Sequence, residues 1–223
     1  MPRVEALIVI VDLRFGIHIS SVLQAPPRLH ASKFLSAGFR FEGTQSYTQE
    51  FGTHHCEGWT VSVEISQLDW DAGHVCGIMT ARGIPCQEHP IVTFWDGEIV
   101  NNRNATFNSA HYNVEECTDL MHWGKFPGFD KLKPALVGPE MVCPLLHTSE
   151  CVYMRWKERE FMSKANDRQR GLAIAGFYYV CLNRTTGEID GFYHDPSSMP
   201  FQRLQLRPAC EGLGFAFSDV IFT

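Results

Sequence analysis

Apolar and polar residues alternate along much of this chain from residue 59 onward. In WTVSVEI (59–65), every second side chain is apolar, and Thr, Ser and Glu lie between them. A period of two is typical of a β-strand that buries one face. We expect six further strands, in HVCGIMTA (74–81), IVTFWDGEIV (91–100), CVYMRWKE (151–158), LAIAGFYYVCL (172–182), EIDGFYH (188–194) and FQRLQL (201–206).

The connections between these strands indicate the fold class. NRTTGE (183–188) has the composition of a hairpin connection and HDPSS (194–198) that of a turn, and no strand–helix–strand alternation occurs. This pattern indicates an antiparallel sandwich or barrel. A barrel is favoured because a closed sheet has no edge strands and offers a mouth lined by side chains. We therefore predict an all-β protein, an antiparallel β-barrel of about eight strands.

One stretch of different character interrupts the strands. In NVEECTDLMHWGKFPGFDKLKPAL (113–136), Val114, Cys117 and Met121 have helical spacing behind Asn113, a residue suited to cap a helix. Prolines and a glycine break up the second half of the stretch. We predict a helical insertion over about 113–135, near one end of the barrel, with one regular helix and a looser second one.

The strand pattern in VYMRWKE (152–158) raises a question about Glu158. With a period of two, Glu158 follows three apolar residues on the inward face. A buried carboxylate without a partner is energetically costly, so it must be paired within the protein or receive a cationic ligand. Arg155, Lys157 and His194 are the candidate partners for a structural ion pair, and the residues alone leave both alternatives open.

Composition and charge exclude several classes of protein. Hydrophobic residues make up 44% of the 223 residues and the formal net charge is -6, so a sizeable core is available and a general nucleic-acid-binding surface is not expected. No C-x-x-C pair occurs among the eight cysteines, so we expect free thiols rather than a structural zinc site or disulfides. The apolar run near the N-terminus is interrupted at Asp12 and Arg14, which makes it too short for a membrane span and a poor signal peptide. We expect a cytoplasmic or nuclear protein without a cofactor.

Several runs taken together carry a resemblance to a known family. In chain order they are TFWDGEIV (93–100), HWGKF (122–126), YMRWKE (153–158), AGFYYVC (175–181), GFYHDPSS (191–198) and FQRLQL (201–206). As a set they resemble the substrate receptors of the glucose-induced-degradation (GID, or CTLH) ubiquitin ligase, in the vacuolar import and degradation family. The resemblance runs from about residue 38 to 206. It implies an antiparallel β-barrel without catalytic activity that holds the free N-terminus of a target protein, typically one starting with proline, for ubiquitination.

The resemblance also implies roles for individual residues. Glu158 would bind the α-ammonium group of the target, with Tyr178 supporting the amine site. Gln45, Tyr193 and Gln202 would form hydrogen bonds with the first peptide units. The wall positions implied by the resemblance are Val61, Met79, Ala81, Ile84, Ile91 and Thr93, with Ile174 as an apolar loop contact.

Two positions depart from the family's pattern. Ala173 stands where a small hydroxyl residue is usual among the groups that bind the peptide backbone, so one hydrogen bond to the ligand is expected to be absent. Ala81 stands where a larger aliphatic residue is usual. We therefore expect a roomier site that accepts small hydrophobic first residues as well as proline.

The chain divides into three segments by composition. Residues 1–33 form an N-terminal preamble, residues 34–209 the barrel, and residues 210–223 a C-terminal tail. The tail, CEGLGFAFSDVIFT, is more apolar than a free chain end usually is. We expect either a last strand packed on the barrel or, as the resemblance implies, an anchor in a scaffold subunit of the ligase.

Other functions fit the sequence less well. The HHC run at 54–56 has residue types suited to a metal site, but adjacent strand residues point to opposite faces and no fourth ligand is evident. A lipocalin-like barrel that carries a small molecule is the alternative function. An enzyme with Glu158 as general acid or base finds little support, because no second carboxylate at useful spacing and no nucleophile motif accompanies it.

Overall fold

The computed structural model of the protein describes residues 31–48, 58–85, 87–162, 174–196 and 201–209. Eight antiparallel strands form a closed barrel in chain order, with β1 also paired to β8. The strands are β1 (Arg40–Thr48), β2 (Gly58–Asp69), β3 (His74–Arg82), β4 (Ile91–Ile99), β5 (Cys151–Phe161), β6 (Phe177–Asn183), β7 (Ile189–His194) and β8 (Phe201–Pro208). The predicted fold class is confirmed.

The seven strands expected from alternation are all present, and β1 precedes them. In β1 two of the positions that share a face with buried Phe41, Gly43 and Gln45, are not apolar, and only Tyr47 beyond them packs against the core. Periodicity therefore gives no signal for this strand. β6 begins only at Phe177, so residues 174–176 belong to the loop before it and not to the predicted strand.

The connection between β4 and β5 contains the helical insertion. It comprises α1 (Glu116–Trp123), α2 (Phe129–Leu132) and 3-10 helices at Ala110–Tyr112, Lys133–Ala135 and Leu146–Thr148. One regular helix followed by looser helical turns is as predicted. The prediction that Asn113 caps the regular helix is wrong. Asn113 has a left-handed φ of 59° and ends the first 3-10 helix, whereas α1 starts after Glu115.

The insertion covers the outer face of β5, β6 and β7. Its residues Trp123, Phe126 and Phe129 pack with Tyr153 of β5 and Tyr179 of β6 in a second hydrophobic core outside the barrel. Because of this cover, residues 151–156 of β5 are buried on both faces. The barrel wall under the insertion is thereby a layer between two cores.

A buried arginine joins the insertion to β5. Arg155 is fully buried, and its guanidinium donates to the Ser109 hydroxyl and to the carbonyl oxygens of Thr106 and Asn108 at 2.6–2.9 Å. Its Nε also lies 3.1 Å from a carboxylate oxygen of Glu98 on β4. The planar donor fork of arginine suits such a set of convergent oxygens.

One end of the barrel is filled by the segment before β1. Phe34, Leu35 and Phe39 pack against the interior core, and Phe34 lies against Gly187 in the turn between β6 and β7. At this end the interior side chains, such as Ile65, have no measurable exposure. We call it the plugged end.

Two stacked tryptophans lie in the interior between the plugged end and the opposite end. The rings of Trp95 and Trp156 are 4.4 Å apart at 28° and are fully buried. Gly97 lies directly opposite Trp156, and a Cβ there would come within 2.7 Å of the indole. The absence of a side chain at Gly97 thus leaves room for the ring. Glu158 pairs with Trp95 across the strands, so the stack adjoins Glu158.

Two further observations bear on the sequence predictions. Within the described ranges, the cysteines at 76, 117, 143, 151 and 181 are free thiols. No helix in that part of the chain has the length and hydrophobicity needed to cross a membrane.

Candidate functional site

The predicted site residues gather at the end of the barrel opposite the plugged end, which we call the site end. Because neighbouring strands are antiparallel, the last residues of odd-numbered strands meet the first residues of even-numbered strands there. The odd-numbered strands contribute Gln45, Met79, Ala81, Glu158 and Tyr193, and the even-numbered strands contribute Val61, Ile91, Thr93, Tyr178 and Gln202.

Glu158 is held at the site end by two neutral hydroxyl groups. Thr93 Oγ1 donates a hydrogen bond to Glu158 Oε1 (2.6 Å), and Tyr178 OH donates one to Oε2 (3.4 Å). None of the ion pairs among the described residues includes Glu158. Within the described ranges the carboxylate is therefore hydrogen-bonded but makes no direct contact with a cation.

The three side chains considered as ion-pair partners of Glu158 contact other groups instead. Arg155 lies on the opposite face of β5, under the insertion. Lys157 Nζ lies 2.6 Å from the carbonyl oxygen of Ala175, and His194 packs against aromatic rings outside the barrel. The described residues give no support to the interpretation of Glu158 as half of a structural ion pair.

Amide and hydroxyl groups continue from Glu158 across the barrel. Gln45 Nε2 donates to Tyr178 OH (3.1 Å) and to Gln202 Oε1 (2.6 Å). The ring of Tyr178 lies 5.0 Å from that of Tyr193. At the site end, β6, β7, β8 and β1 thus present hydrogen-bonding side chains to the interior, and we call this side the polar half.

The remaining strands present mainly apolar side chains. Val61 of β2 pairs with Ala81 of β3, and Ala81 pairs with Ile91 of β4. Met79 is buried one pair further in, and Ile84 packs against the same core from the connection between β3 and β4. We call this side the apolar half. Glu158 lies where the two halves meet.

Two predicted residues belong to the loop that precedes β6. Ile174 is partly buried, and its carbonyl oxygen is 3.4 Å from Lys157 Nζ. Ala173 lies outside the described residues. The same is true of the HHC run at 54–56 and of the tail at 210–223.

Phe161 is a site-end residue that the alternation pattern missed. A strict period of two from Glu158 would put Glu160 on the inward face and Phe161 on the outward face. A β-bulge at Arg159 shifts the register, so that Phe161 pairs directly with Thr93. Paired residues share a face of the sheet, and Phe161 therefore lies on the interior face beside Thr93. Nothing in the residue types of KEREF indicates the bulge.

Burial changes the proton affinities at the site end. Desolvation raises the pKa of the Glu158 carboxyl above its usual range, although the hydrogen bonds from Thr93 and Tyr178 and the charge of Lys157 act in the opposite direction. Desolvation also raises the pKa of the Tyr193 phenol to about 12 and that of Tyr178 well above its usual value. Both phenols are therefore neutral at pH 7, and Glu158 is the group whose charged form a cationic ligand would stabilise.

Comparison with known proteins places the chain in a family. Residues 34–209 match the family described as vacuolar import and degradation protein. The chain is 27% identical over 177 residues to the glucose-induced degradation protein 4 homolog of Mus musculus, an alignment covering 79% of this chain and 78% of the relative. It is 28% identical over 205 residues to the GID complex substrate-recognition subunit 10 of Saccharomyces cerevisiae, covering 81% and 70%.

A third relative has similar coverage. The GID complex substrate-recognition subunit 4 of Schizosaccharomyces pombe is 28% identical over 188 residues, which is 78% of this chain and 91% of the relative. The segment that matches the family, residues 34–209, includes every residue placed at the site end above. The resemblance carried by the sequence motifs is thus confirmed, and the chain belongs to the vacuolar import and degradation protein family.

Proposed function

We propose that this protein is a substrate-recognition subunit of a GID-type ubiquitin ligase and binds the free N-terminus of target proteins. One observation carries the proposal: at the site end the partly buried carboxylate of Glu158 accepts hydrogen bonds from the hydroxyls of Thr93 and Tyr178 and contacts no cation among the described residues. An α-ammonium group supplies the missing positive charge. The names of the relatives, which are substrate-recognition subunits, support a binding role without catalysis.

The two halves of the site end suit the first residues of a peptide chain. An N-terminal proline is a secondary ammonium with two N–H donors and a compact apolar ring. The carboxylate of Glu158 accepts hydrogen bonds from the ammonium group. Hydrogen bonds to the first peptide groups come from the polar half, through Gln45, Tyr193 and Gln202. The apolar half contacts the side chain of the first residue. Phe161, next to Thr93, adds an aromatic surface to the apolar half.

The charge at Glu158 also explains how other segments are rejected. An internal peptide segment or an acetylated terminus has no ammonium group and would leave the carboxylate desolvated without compensation. A receptor of this kind would act in the cytoplasm or nucleus, together with the ligase to which it delivers its targets.

The decisive experiment compares free and acetylated forms of one Pro-starting peptide by calorimetry. We expect the acetylated form to bind at least about 100-fold more weakly, because it loses a charge-assisted contact in a desolvated site. Equal affinity of the two forms would overturn the proposal. Binding of small apolar molecules in place of either peptide would favour the alternative function, a lipocalin-like carrier.

The size of residue 81 is expected to set the tolerance for the first residue. Ala81 lies between Val61 and Ile91 in the apolar half and leaves room there. We expect Ala81→Ile to weaken binding of peptides that start with Ile or Leu by about 10-fold or more relative to those that start with Pro, since a methylene group in such a pocket changes the binding free energy by ~1–3 kcal/mol. A library of free N-terminal peptides measures this preference.

Thr80→Ile provides the matched control for that substitution. Thr80 is the neighbouring residue of the same strand and pairs with Ser62 on the outward face. The Thr80→Ile substitution should leave the ranking of peptides by their first residue unchanged. An identical shift in both variants would show that Ala81 does not line the site.

We further propose that the C-terminal tail attaches the receptor to a scaffold subunit of the ligase. The support is its composition, since Phe215, Phe217, Ile221 and Phe222 fall within the last nine residues. Deleting residues 218–223 should leave the affinity for Pro-starting peptides unchanged and abolish co-purification with the other ligase subunits. Loss of folding in the truncated protein would instead assign the tail to the barrel.

A further inference from the structure

Lys157, the neighbour of Glu158 in the chain, makes contacts that the proposed function does not use. Its ammonium group lies 2.6 Å from the carbonyl oxygen of Ala175, 3.0 Å from that of Gly176 and 3.4 Å from that of Ile174. An ammonium group has three N–H donors, and three carbonyl oxygens converge on this one. Lys157 thus fixes the last three residues of the loop that enters β6.

The loop fixed by Lys157 contacts the site directly. The Gly176 N–H donates a hydrogen bond to the Tyr193 hydroxyl (2.9 Å). A Cβ at residue 176 would come within 2.2 Å of the His194 carbonyl oxygen and 2.7 Å of the Tyr193 ring, so the loop passes close to both. Lys157 therefore contacts a loop whose last residue, Gly176, is hydrogen-bonded to Tyr193 of the site end.

We infer that Lys157 is a positioning residue for N-terminal peptide binding, which fixes the 174–176 loop against Tyr193 from outside the barrel. The peptide ligand in this inference is taken from the proposed function, whereas its geometry is given by the described contacts of Lys157. The alternating strand pattern explains why two consecutive residues can both serve the site. Glu158 faces the interior, whereas Lys157 reaches the loop from the outward face.

The charge of Lys157 gives the inference a second consequence. The groups that bear on the ionisation of Glu158 are Lys157 on its own strand, the Thr93 hydroxyl on β4 and the Tyr178 hydroxyl on β6, and all three favour the charged carboxylate. Burial, and next the charge of Arg159, lower the pKa of Lys157, whereas Asp96, Asp195 and Glu158 act in the opposite direction. Removing the ammonium group should therefore raise the pH below which peptide binding is lost.

The test compares Lys157→Met with Arg159→Met in the full chain, using one Pro-starting peptide. Arg159 flanks Glu158 on the other side, and its removal changes the net charge equally, but its ion pair within the described ranges is with Asp96 (2.7 Å). We expect Lys157→Met to weaken binding at least about tenfold, as for the loss of hydrogen bonds from a charged donor. As the pH is lowered, peptide binding by Lys157→Met should also be lost at a higher pH than peptide binding by the wild type. Arg159→Met should stay within about twofold, because exposed ion pairs contribute little.

Hydrogen exchange separates this inference from the proposed function. The Gly176 amide, bonded to Tyr193, should exchange faster in Lys157→Met than in the wild type and be unchanged in Arg159→Met. Lys157→Arg keeps the charge, and should restore the pH profile while recovering only part of the affinity. Unchanged exchange at Gly176, or equal loss of binding in both methionine variants, would overturn the inference. Faster exchange in a protein whose wild type binds no free N-terminus would support the positioning role and refute the proposed function.

Discussion

Glu158→Gln is expected to reduce binding of Pro-starting peptides by about 100-fold or more without destabilising the protein. The substitution keeps the shape of the side chain and an acceptor for the Thr93 hydroxyl, but it removes the negative charge that would meet the α-ammonium group. Breaking one partner of a desolvated charge pair costs roughly 3–5 kcal/mol, whereas a micromolar complex has only about 8 kcal/mol in total. Isothermal calorimetry with one peptide series measures the loss.

Glu160→Gln is the matched control for the binding measurement. Glu160 lies two residues further along the same strand and is exposed, and it pairs with Phe94 on the outward face. Its replacement makes the same change in net charge, and we expect an affinity within about twofold of the wild type. If Glu158→Gln also stayed within a few-fold, the assignment of the amine site to Glu158 would be wrong.

The stability of Glu158→Gln as a function of pH tests the desolvation of the carboxyl without any ligand. The pKa of Glu158 is raised in the folded protein, so the native state disfavours the charged form that the unfolded chain adopts freely. At neutral pH the Gln variant should therefore melt at the same temperature as the wild type or higher. This difference should shrink as the pH falls from the raised pKa of the folded state toward the unfolded value of about 4.3, and it should vanish below that value, where both states are protonated. A structural ion pair would give the opposite sign, with a lower melting temperature in the variant.

Arg155→Met is expected to give the largest loss of stability among these substitutions. The variant would leave the carbonyl oxygens of Thr106 and Asn108 without their donor and would leave the Glu98 carboxylate beside a buried apolar side chain. Breaking such a buried set costs about 3–5 kcal/mol, compared with a total stability of ~5–15 kcal/mol for a typical domain. Urea denaturation measures the change in the free energy of unfolding.

Arg203→Met is the matched control, because it makes the same change of residue type at an ion pair on the outer face. Arg203 is paired with Asp190 at 2.8 Å on the outer face of the barrel, where both side chains are partly exposed. Its replacement should cost less than about 1 kcal/mol. Equal effects of the two variants would mean that the network under the insertion contributes no more than a surface pair.

The barrel and the inward direction of Glu158 could be predicted from the sequence because both depend on local alternation. The seven strands expected from alternation are all present, and Glu158 lies on the face that the alternation predicts. β1 lacks such a signal because two of its inward positions, Gly43 and Gln45, serve close packing and hydrogen bonding. Where a strand's inward residues belong to a polar site, periodicity fails for a physical reason.

Other features depend on contacts that no local pattern records. The hydrogen bonds of Gln45 reach Tyr178 and Gln202, which are 133 and 157 residues away in the chain. Only the resemblance to a family suggested that these residues act together. The bulge at Arg159 reverses the direction of Phe161, and a one-residue register shift of this kind depends on pairing with β4. The contacts of Lys157 with residues 174–176 likewise depend on the pairing of β5 with β6.

The plugged end has a consequence for the kind of event to which such a receptor would respond. Phe34, Leu35 and Phe39 fill one end and the stacked Trp95 and Trp156 fill the interior beside Glu158, so a polypeptide could reach Glu158 from the site end but not pass through the barrel. An internal segment would have to turn back on itself there, so a chain terminus is the form of polypeptide that would fit. Cleavage creates new termini, and removal of a single residue from a target would replace one ligand with another. A receptor of this shape would therefore register the processing history of its targets.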